Sequence, residues 1–274
     1  MMIYSKQQSS TILQQNFVYI KVEEKDHVLT ITLNRPQAKN AMSPTMIREY
    51  AFAMSYAHHQ SHIWAVVFAA EGDIWCAGAD LKAMRGQEEV NESSIPLPEK
   101  EIVIGDLFTH IHKPVIARVH APVYAGGHLL IAGCTFVIAT ENVKFSLPEV
   151  KRGIFPFQVM DMLIKILPAR KVMDWCIRGG SITVHQALTL GLVTEIVEQE
   201  KLDESVEKLI LEIFENSPSA IRLGLKAYDE MRSVADAEKQ AFLKKMLDET
   251  IKTSDAQEGL KAFAEKRKPE WRGE

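Results

Sequence analysis

The sequence lacks a long apolar run and any sign of a secretory signal. Its longest mostly apolar stretch, residues 129–139, is far shorter than the ~20 residues that a membrane-spanning helix needs. The N-terminal stretch MMIYSKQQSSTILQQ has no sustained apolar core and no small-residue cleavage site. These absences predict a cytoplasmic protein that does not engage a membrane.

Neither a positive charge excess nor a disulfide framework is present. With 32 basic and 36 acidic residues the net charge is -4, so no global field attracts nucleic acid. Cys76, Cys134 and Cys176 are an odd, widely spaced set in apolar surroundings, which predicts buried free thiols in a reducing compartment. A chain of 274 residues with 46% apolar residues can bury a core without disulfides or a metal.

What the sequence has is an alternation of strand and helix patterns. Alternating strands are predicted over residues 17–22 and 27–33, joined as a hairpin through residues 24–26. Ser43 and Pro44 predict a helix start, with helical spacing continuing to about His59. Further strands are predicted over residues 63–70, 114–123 and 135–140, with a helix opening at the glycines after residue 123. This order indicates an α/β domain of stacked units.

The C-terminal part has a different pattern. From about residue 205 strand signals disappear and helical periods continue, with a restart at Ser217 and Pro218 and a helix from about residue 235 to 253. The sequence therefore predicts a core over residues 1–204 and an all-helical region over residues 205–274. The polar, proline-bearing segment 84–101 is predicted to be a mobile loop, a kind that often acts as a lid.

Two glycine-bearing segments could donate backbone hydrogen bonds. WCAGADLKAM (75–84) and AGGHLL (125–130) each come after a strand and open a helical pattern, where N–H groups have no internal partner. Two such segments could point their N–H groups at one oxygen and stabilise an oxyanion. Each alone is also explained as an ordinary strand–turn–helix connection. Neither has the three-glycine spacing of a dinucleotide-binding fingerprint.

Several motifs occur together in one order and spacing. They are NRPQAKNAM (34–42), WCAGADLKAM (75–84), PVIARVHAPVYAGGHLL (114–130), FSLPEV (145–150) and LGLVTEIV (190–197). In this combination the chain resembles the crotonase superfamily, the enoyl-CoA hydratase/isomerase group, over roughly residues 17 to 270. The resemblance implies a crotonase-like spiral of stacked β-β-α units, and a helical C-terminal region that forms a homotrimer or a dimer of trimers and closes the site.

The resemblance also implies roles for individual residues on an acyl-CoA substrate. It implies that the N–H groups of Ala79 and Gly126 form an oxyanion hole for a thioester oxygen and that Glu149 is the catalytic carboxylate. It further implies that four residues line the path of the coenzyme A moiety, which is the only cofactor-like group expected: Ala38, Ala77, Asp80 and Leu81.

One position departs from the pattern of many hydratases of this group. They have a second glutamate where this chain has Leu129, and leucine can neither accept nor donate a proton. A single carboxylate, Glu149, is enough for Δ3,Δ2-enoyl-CoA isomerisation, and some hydratases also work with one acid, so both reactions stay open. The alternatives are a dehydratase, decarboxylase or hydrolase of the same superfamily on acyl-CoA or on an acyl carrier protein. A weak thioester-binding or RNA-binding scaffold is a further alternative.

The histidines give weaker signals. His110 and His112 have the spacing of one strand face, but nothing nearby completes a ligand set, so no metal is predicted. His128, beside the glycines, either reaches the acyl pocket or is a hydrogen-bonded structural residue. The basic run 265–272 is either a solvated tail or a contact to the 3′-phosphate of coenzyme A in a neighbouring subunit.

Overall fold

The computed structural model describes residues 2–87 and 92–274, and in this part of the chain helices are interspersed among the strands up to β9. The strands are β1 Ile20–Lys25, β2 Val28–Leu33, β3 Ala65–Ala70, β4 Val115–Val119, β5 Val123–Tyr124, β6 Phe136–Thr140, β7 Lys144–Ser146, β8 Ser181–Thr183 and β9 Glu195–Val197.

Helices pack on this framework and make up the chain after β9. They are α1 Lys6–Ser9, α2 Pro44–His59, α3 Ile104–His110, α4 His128–Gly133, α5 Phe157–Ile164, α6 Ala169–Arg178, α7 Val184–Leu190, α8 Leu202–Phe214, α9 Pro218–Glu230, α10 Lys239–Ile251 and α11 Ser254–Glu265.

Six of the described strands form a mixed sheet in the order β1-β2-β3-β4-β6-β9, and three form a smaller sheet in the order β5-β7-β8. In the large sheet β1 is antiparallel to β2 and the other pairs are parallel. The α/β class predicted from the sequence is therefore confirmed. Fully buried Phe68 on β3 and Trp75 beyond it belong to the main core between the sheets and helices.

The predicted hairpin exists, but its boundaries differ from the prediction. The turn is Asp26 and His27, whose φ angles of 47° and 67° suit a tight two-residue hairpin turn. Strand β1 begins at Ile20 and not at residue 17 because the backbone N–H groups of Val18 and Tyr19 donate to the buried carboxylate of Glu49, at 2.7 and 2.8 Å.

The single strand predicted over residues 114–123 is wrong. The chain leaves the large sheet after β4, and residues 120–122 lead into β5 of the small sheet. There the carbonyl of Pro122 accepts from the backbone N–H of Trp75, and Pro122 itself has no N–H with which to continue a ladder. Because of this break, the glycines follow a strand of the small sheet and not β4 of the large sheet.

Two of the predicted helical segments, the one that starts at Ser43 and the one that opens after the first glycine segment, have different outcomes. Ser43 caps α2 by accepting from the backbone N–H of Met46, as predicted. Asp80 also caps, since its Oδ1 accepts from the N–H groups of Lys82 and Ala83 at 3.0 and 3.2 Å. Beyond Asp80 the chain forms one 3₁₀ turn, Ala83–Arg85, and the predicted loop over residues 84–101 partly falls on residues 88–91, outside the described residues.

The predicted boundary between residues 204 and 205 lies inside α8. Leu202 and Val206 of this helix pack on the outer face of the large sheet, against Val67, Ile116 and Ile138. By its packing, α8 thus belongs with the sheet. The later helices α9 to α11 contact one another, and an oligomerisation role for the C-terminal region stays a prediction.

The sequence patterns did not reveal an N-terminal arm, residues 2–16, which lies across α2. Tyr4 is buried against Phe52, with ring centroids 5.0 Å apart. Its hydroxyl donates to the carbonyl of Pro96 at 2.8 Å, and the N–H of Asn16 donates to Ser94. The arm therefore connects α2 to the segment that leads from the first glycine motif towards α3.

Two features bear on the compositional predictions. Throughout residues 2–87 and 92–274, no helix combines the length and apolar character needed to cross a bilayer. The three cysteines are free, as predicted. Cys76 and Cys176 are buried as predicted, whereas Cys134 is only half-buried.

Candidate active site

Three chain segments run parallel and end together. Val123 pairs with Phe145 between β5 and β7, and Cys76 forms a parallel bridge with Val123 on the other side. Ala79 lies three residues beyond Cys76, and Gly126 lies three beyond Val123. Glu149 lies four residues beyond Phe145. Because neighbouring strands are ~4.8 Å apart, this register brings all three to one edge of the small sheet.

The N–H groups of Ala79 and Gly126 are free to bind a ligand. Among the residues that the structure describes, neither N–H has a protein acceptor. Gly126 lies in the first turn of a 3₁₀ segment, where an intrahelical partner is absent. Gly78, with φ 90°, permits the approach, because a methyl group on it would lie 2.8 Å from the Gly126 nitrogen. The structure thus brings the two predicted donors together.

A buried ion pair between Arg35 and Asp80, called the clamp below, holds the segment that carries Ala79. The buried Arg35 donates to Asp80 Oδ2 at 2.6 Å and to the carbonyl of Ala41 at 3.2 Å. The guanidinium also lies 4.7 Å from the ring centroid of Tyr19. Burial alone would raise the pKa of Asp80, but the hydrogen bonds from Arg35 and from two backbone N–H groups hold it below its usual range. Both carboxylate oxygens of Asp80 therefore have donors within the protein, and the carboxylate stabilises the chain segment around Asp80.

The other residues predicted to line the coenzyme A path lie on the two segments that this clamp joins. Ala77 donates its N–H to the carbonyl of Lys39 at 3.0 Å, and Met42 forms a parallel bridge with Ala79. Ala38 and Ala77 are half-buried, and the Leu81 side chain is 47% exposed. Small and exposed side chains along one continuous edge leave space for a long ligand.

Glu149 is a carboxylate with an unused buried oxygen. It begins the 3₁₀ turn Glu149–Arg152, and its Oε2 is inaccessible to solvent without a hydrogen-bond partner in the described structure. Burial raises its pKa above the ordinary value, and its own backbone N–H and the Arg152 guanidinium offset only part of this effect. A buried carboxylate with a raised pKa suits a proton-transferring role.

Leu129 is buried, with 6% of its surface exposed, on the first turn of α4. It borders a cleft of about 330 Å³ whose wall also includes Ile104, Phe157 and Met162. The Phe155 and Phe157 rings are 5.1 Å apart, and Phe157 is 69% exposed. The cleft also has polar residues at its wall, and its apolar part, which Leu129 joins to the segment of Gly126, can take an acyl chain.

A larger groove lies elsewhere. It has a volume of about 550 Å³ and runs between the β1–β2 hairpin and α8, beside the ion pair of Arg118 and Asp203. Neither donor nor Glu149 lines it. They do not line the smaller cleft either, but Leu129 on its wall follows Gly126 by three residues in one continuous helical segment, so we assign the candidate site to this side of the molecule.

The histidine predictions have separate outcomes. His110 and His112 do not share a strand face, because His110 ends α3 and His112 has a φ of 52°. His112 lies 3.4 Å from Asp229, and no described group of three or more candidate ligands surrounds a metal position. His128 is fully buried and hydrogen-bonded to the carbonyl of Ala125 at 2.8 Å, which is the structural alternative.

The arrangement combines two unoccupied donors, one carboxylate and an apolar cleft. Two N–H groups directed at one position can stabilise a carbonyl oxygen that gains negative charge. A carboxylate at the same edge can remove a proton from the carbon next to that carbonyl. The Arg35–Asp80 pair and the Val18 and Tyr19 bonds to Glu49 were not anticipated, because they join residues ~30 or more apart that no local pattern relates.

Comparison with known proteins gives a consistent result. A family model described as enoyl-CoA hydratase/isomerase matches residues 23–274. Mevalonyl-coenzyme A hydratase sidH of Aspergillus fumigatus is 32% identical over 90% of this chain and 92% of its own length. Putative enoyl-CoA hydratase/isomerase YngF of Bacillus subtilis is 32% identical over 91% of this chain and 96% of its own length.

Solved structures agree with the sequence comparison. An enoyl-CoA hydratase from Mycobacterium tuberculosis superposes with a TM-score of 0.82 at 29% identity, covering 93% of this chain and 99% of that chain. This likeness confirms the crotonase-like α/β fold with a helical C-terminal region. The chain belongs to the enoyl-CoA hydratase/isomerase family of the crotonase superfamily.

Proposed function

We propose that the protein acts on enoyl-CoA thioesters through an enolate, with the N–H groups of Ala79 and Gly126 as the oxyanion hole. Glu149 is the one acid–base group in this proposal. The observation that carries it is the partnerless buried oxygen of Glu149 at the same sheet edge as two unoccupied N–H donors. Each donor to such an oxyanion contributes about 3 kcal/mol to a reaction of this kind.

Isomerisation of a 3-enoyl-CoA to a 2-enoyl-CoA is the reaction that this site supports best. The Glu149 carboxylate removes a proton from C2, and the electron pair of that C–H bond forms a dienolate whose oxygen binds the two N–H groups. The Glu149 carboxyl then returns the proton at C4, and the double bond ends between C2 and C3. Leu129 suits this route because one group moves the proton both ways and no water has to be held.

Hydration of a 2-enoyl-CoA is the second candidate. It is favoured by the hydratase names of relatives such as mevalonyl-coenzyme A hydratase sidH. In this reaction Glu149 takes a proton from a water whose oxygen adds to C3, and returns a proton to C2 of the enolate. A second carboxylate would hold that water, but Leu129 stands in its place, so this reaction requires a single acid.

The substrate path and the assembly are part of the same proposal. We propose that the coenzyme A moiety runs along Ala38, Ala77, Asp80 and Leu81, with Asp80 acting through its backbone and its clamp on Arg35. No cofactor beyond this moiety is needed. The exposed Phe263 (85%) and Leu260 (62%) on α11 support self-association of the helical region, as a homotrimer or a dimer of trimers.

Mass measurement separates the two reactions. The wild-type protein is incubated separately with crotonyl-CoA and with 3-hexenoyl-CoA. The products are separated by chromatography and their masses are measured by mass spectrometry. Isomerisation changes the retention of 3-hexenoyl-CoA without changing its mass, whereas hydration adds the mass of one water to crotonyl-CoA. Failure of folded protein to convert either substrate would overturn the proposal.

A further inference from the structure

The imidazole of His128 is held by one polar contact within the described part of the chain. Nδ1 lies 2.8 Å from the carbonyl oxygen of Ala125, whereas Nε2 is buried without a partner. The ring packs nearly perpendicular to Trp175, with centroids 5.1 Å apart, and 6.0 Å from Phe145. Since a carbonyl oxygen can only accept, Nδ1 carries the proton.

The ring is neutral near pH 7. Burial lowers the pKa of His128 to about 4, and the bond to Ala125 offsets only part of this effect. His128 is therefore not a source of positive charge beside the site. It supplies instead one N–H donor with a fixed direction.

The carbonyl that His128 holds belongs to the same peptide group as the N–H of Gly126. This peptide is trans and planar, so its C=O and N–H point in opposite directions. A hydrogen bond that fixes the direction of the Ala125 carbonyl therefore also fixes the direction of the Gly126 N–H. The same carbonyl accepts from the backbone N–H of His128 as well.

Two further effects act on this peptide. Hydrogen bonds to a carbonyl polarise the peptide group and make its N–H a stronger donor. Ala125 has a φ of 49°, a left-handed conformation that is unfavourable for a residue other than glycine. The bond from His128 stabilises this conformation against relaxation.

We propose that His128 is a positioning residue whose Nδ1–H, by binding the Ala125 carbonyl, orients and strengthens the Gly126 N–H as an oxyanion donor. The inference rests on the proposed function, because it requires a thioester oxygen at that donor. His128 acts through the Ala125–Gly126 peptide and does not touch the substrate.

Two substitutions separate the hydrogen bond from packing. His128→Phe fills the space without a donor, and His128→Asn keeps an N–H₂ at a position comparable to Nδ1. His128→Met replaces the phenylalanine variant if that variant does not fold, since methionine adapts to irregular core space. His120→Phe is the matched control, because His120 also bonds a backbone carbonyl, that of Gly72 at 2.8 Å, away from the site.

The first readout is the infrared carbonyl stretch of bound hexanoyl-CoA labelled with ¹³C at C1. This saturated thioester binds without reacting, and its stretch moves to lower frequency in proportion to the polarisation by the two donors. We expect a clear shift in wild type and in His120→Phe, a smaller shift in His128→Phe, and recovery in His128→Asn. The second readout is kcat, which should fall about tenfold in His128→Phe, less than on deleting an oxyanion donor outright, with KM little changed.

The outcomes distinguish this inference from the proposed function. An unchanged shift in folded His128→Phe would overturn the positioning role, and so would a loss that His128→Asn does not restore. If wild type itself fails to bind hexanoyl-CoA or binds it without a shift, the oxyanion hole of the proposed function is wrong instead.

Discussion

Gly126 and Ala79 approach so closely that a methyl group on Gly126 would lie 3.4 Å from the Ala79 nitrogen. The same methyl would lie 3.3 Å from Cε of Met42, a flexible side chain that can give way. Because Gly126 has no side chain, the space next to the two donors stays open for a ligand atom.

Gly126→Ala is expected to fold and to lose activity. The added methyl lies beside the Ala79 N–H and obstructs the oxygen that both donors bind, so kcat/KM should fall about 100-fold, as on loss of one donor. Steady-state kinetics and a thermal melt measure the two properties. Gly224→Ala is the control, because a methyl there meets nothing within 4 Å. Equal activity of the two variants would contradict the assignment of the donor.

Glu149→Gln is expected to lower kcat by about 100-fold or more, since general acid–base groups contribute at least that much. Wild-type activity should rise with pH through the raised pKa of Glu149, because the base must be ionised. The exposed Glu141, changed to Gln, is the control and should leave kcat unchanged. A kcat–pH profile of each protein measures this, and a Glu149→Gln protein that keeps full activity on both enoyl-CoA substrates would refute the mechanism.

The same substitution should not destabilise the fold. Since burial raises the pKa of Glu149, its contribution to stability is present at acid pH and is lost as the pH rises through the folded-state pKa. Glu149→Gln cannot ionise, so it should melt at the same temperature as wild type or higher at pH 8. A lower melting temperature at pH 8 would mean that the carboxylate is needed for folding.

Leu129→Glu is expected to increase water addition to crotonyl-CoA. A second carboxylate at position 129, where many hydratases of this group have one, can hold and activate a water. Because position 129 is buried, the change should also lower the free energy of unfolding by at least the ~1–3 kcal/mol that burying an unpaired neutral polar group costs. Leu129→Gln is the matched control, having the same size without an ionisable group. Product mass measures hydration, and an equal response of the Glu and Gln variants would show that charge at this position is irrelevant.

Asp80→Asn is expected to lower the free energy of unfolding by about 3–5 kcal/mol, because it leaves the buried guanidinium of Arg35 unpaired. Lys21→Gln breaks the exposed pair with Glu71 and should cost about 0–1 kcal/mol. Urea denaturation of both variants makes the comparison.

The effect of Asp80→Asn should depend on pH. Because the pKa of Asp80 is held low, its contribution is present above the unfolded-state pKa and is lost as the pH falls through the folded-state pKa. The difference from wild type should therefore shrink in acid. A constant difference across the acid range would argue that the charge of Asp80 is not what stabilises the clamp.

Local sequence patterns predicted those structural elements that depend on residues close together in the chain. The Ser43 cap and the alternating positions of β2 depend on residues a few positions apart, and both were predictable. The start of β1 was not, because Glu49, 30 residues away, takes the N–H groups of Val18 and Tyr19. The break after β4 depends likewise on Trp75, whose N–H binds Pro122.

The candidate site shows the same division. The small residues around Gly78 and Gly126 were recognisable as donors, and the structure joins them through the bridge of Cys76 and Val123. The direction of the Gly126 N–H could not be predicted, since it depends on the φ of Ala125 and on the tautomer of His128. Which side-chain nitrogen meets which carbonyl is a property of the folded core.

The N-terminal arm precedes the region that the family model matches, yet Tyr4 covers the ring of Phe52 on α2. Phe52 is fully buried, and Phe17, just beyond the arm, also contacts its ring, so loss of the arm would uncover the side of the ring that Tyr4 covers. We therefore expect the two features to change together as sequences diverge. A relative that has lost the arm is expected to have a polar side chain at the position of Phe52, so the length of the arm predicts the polarity of this face of α2.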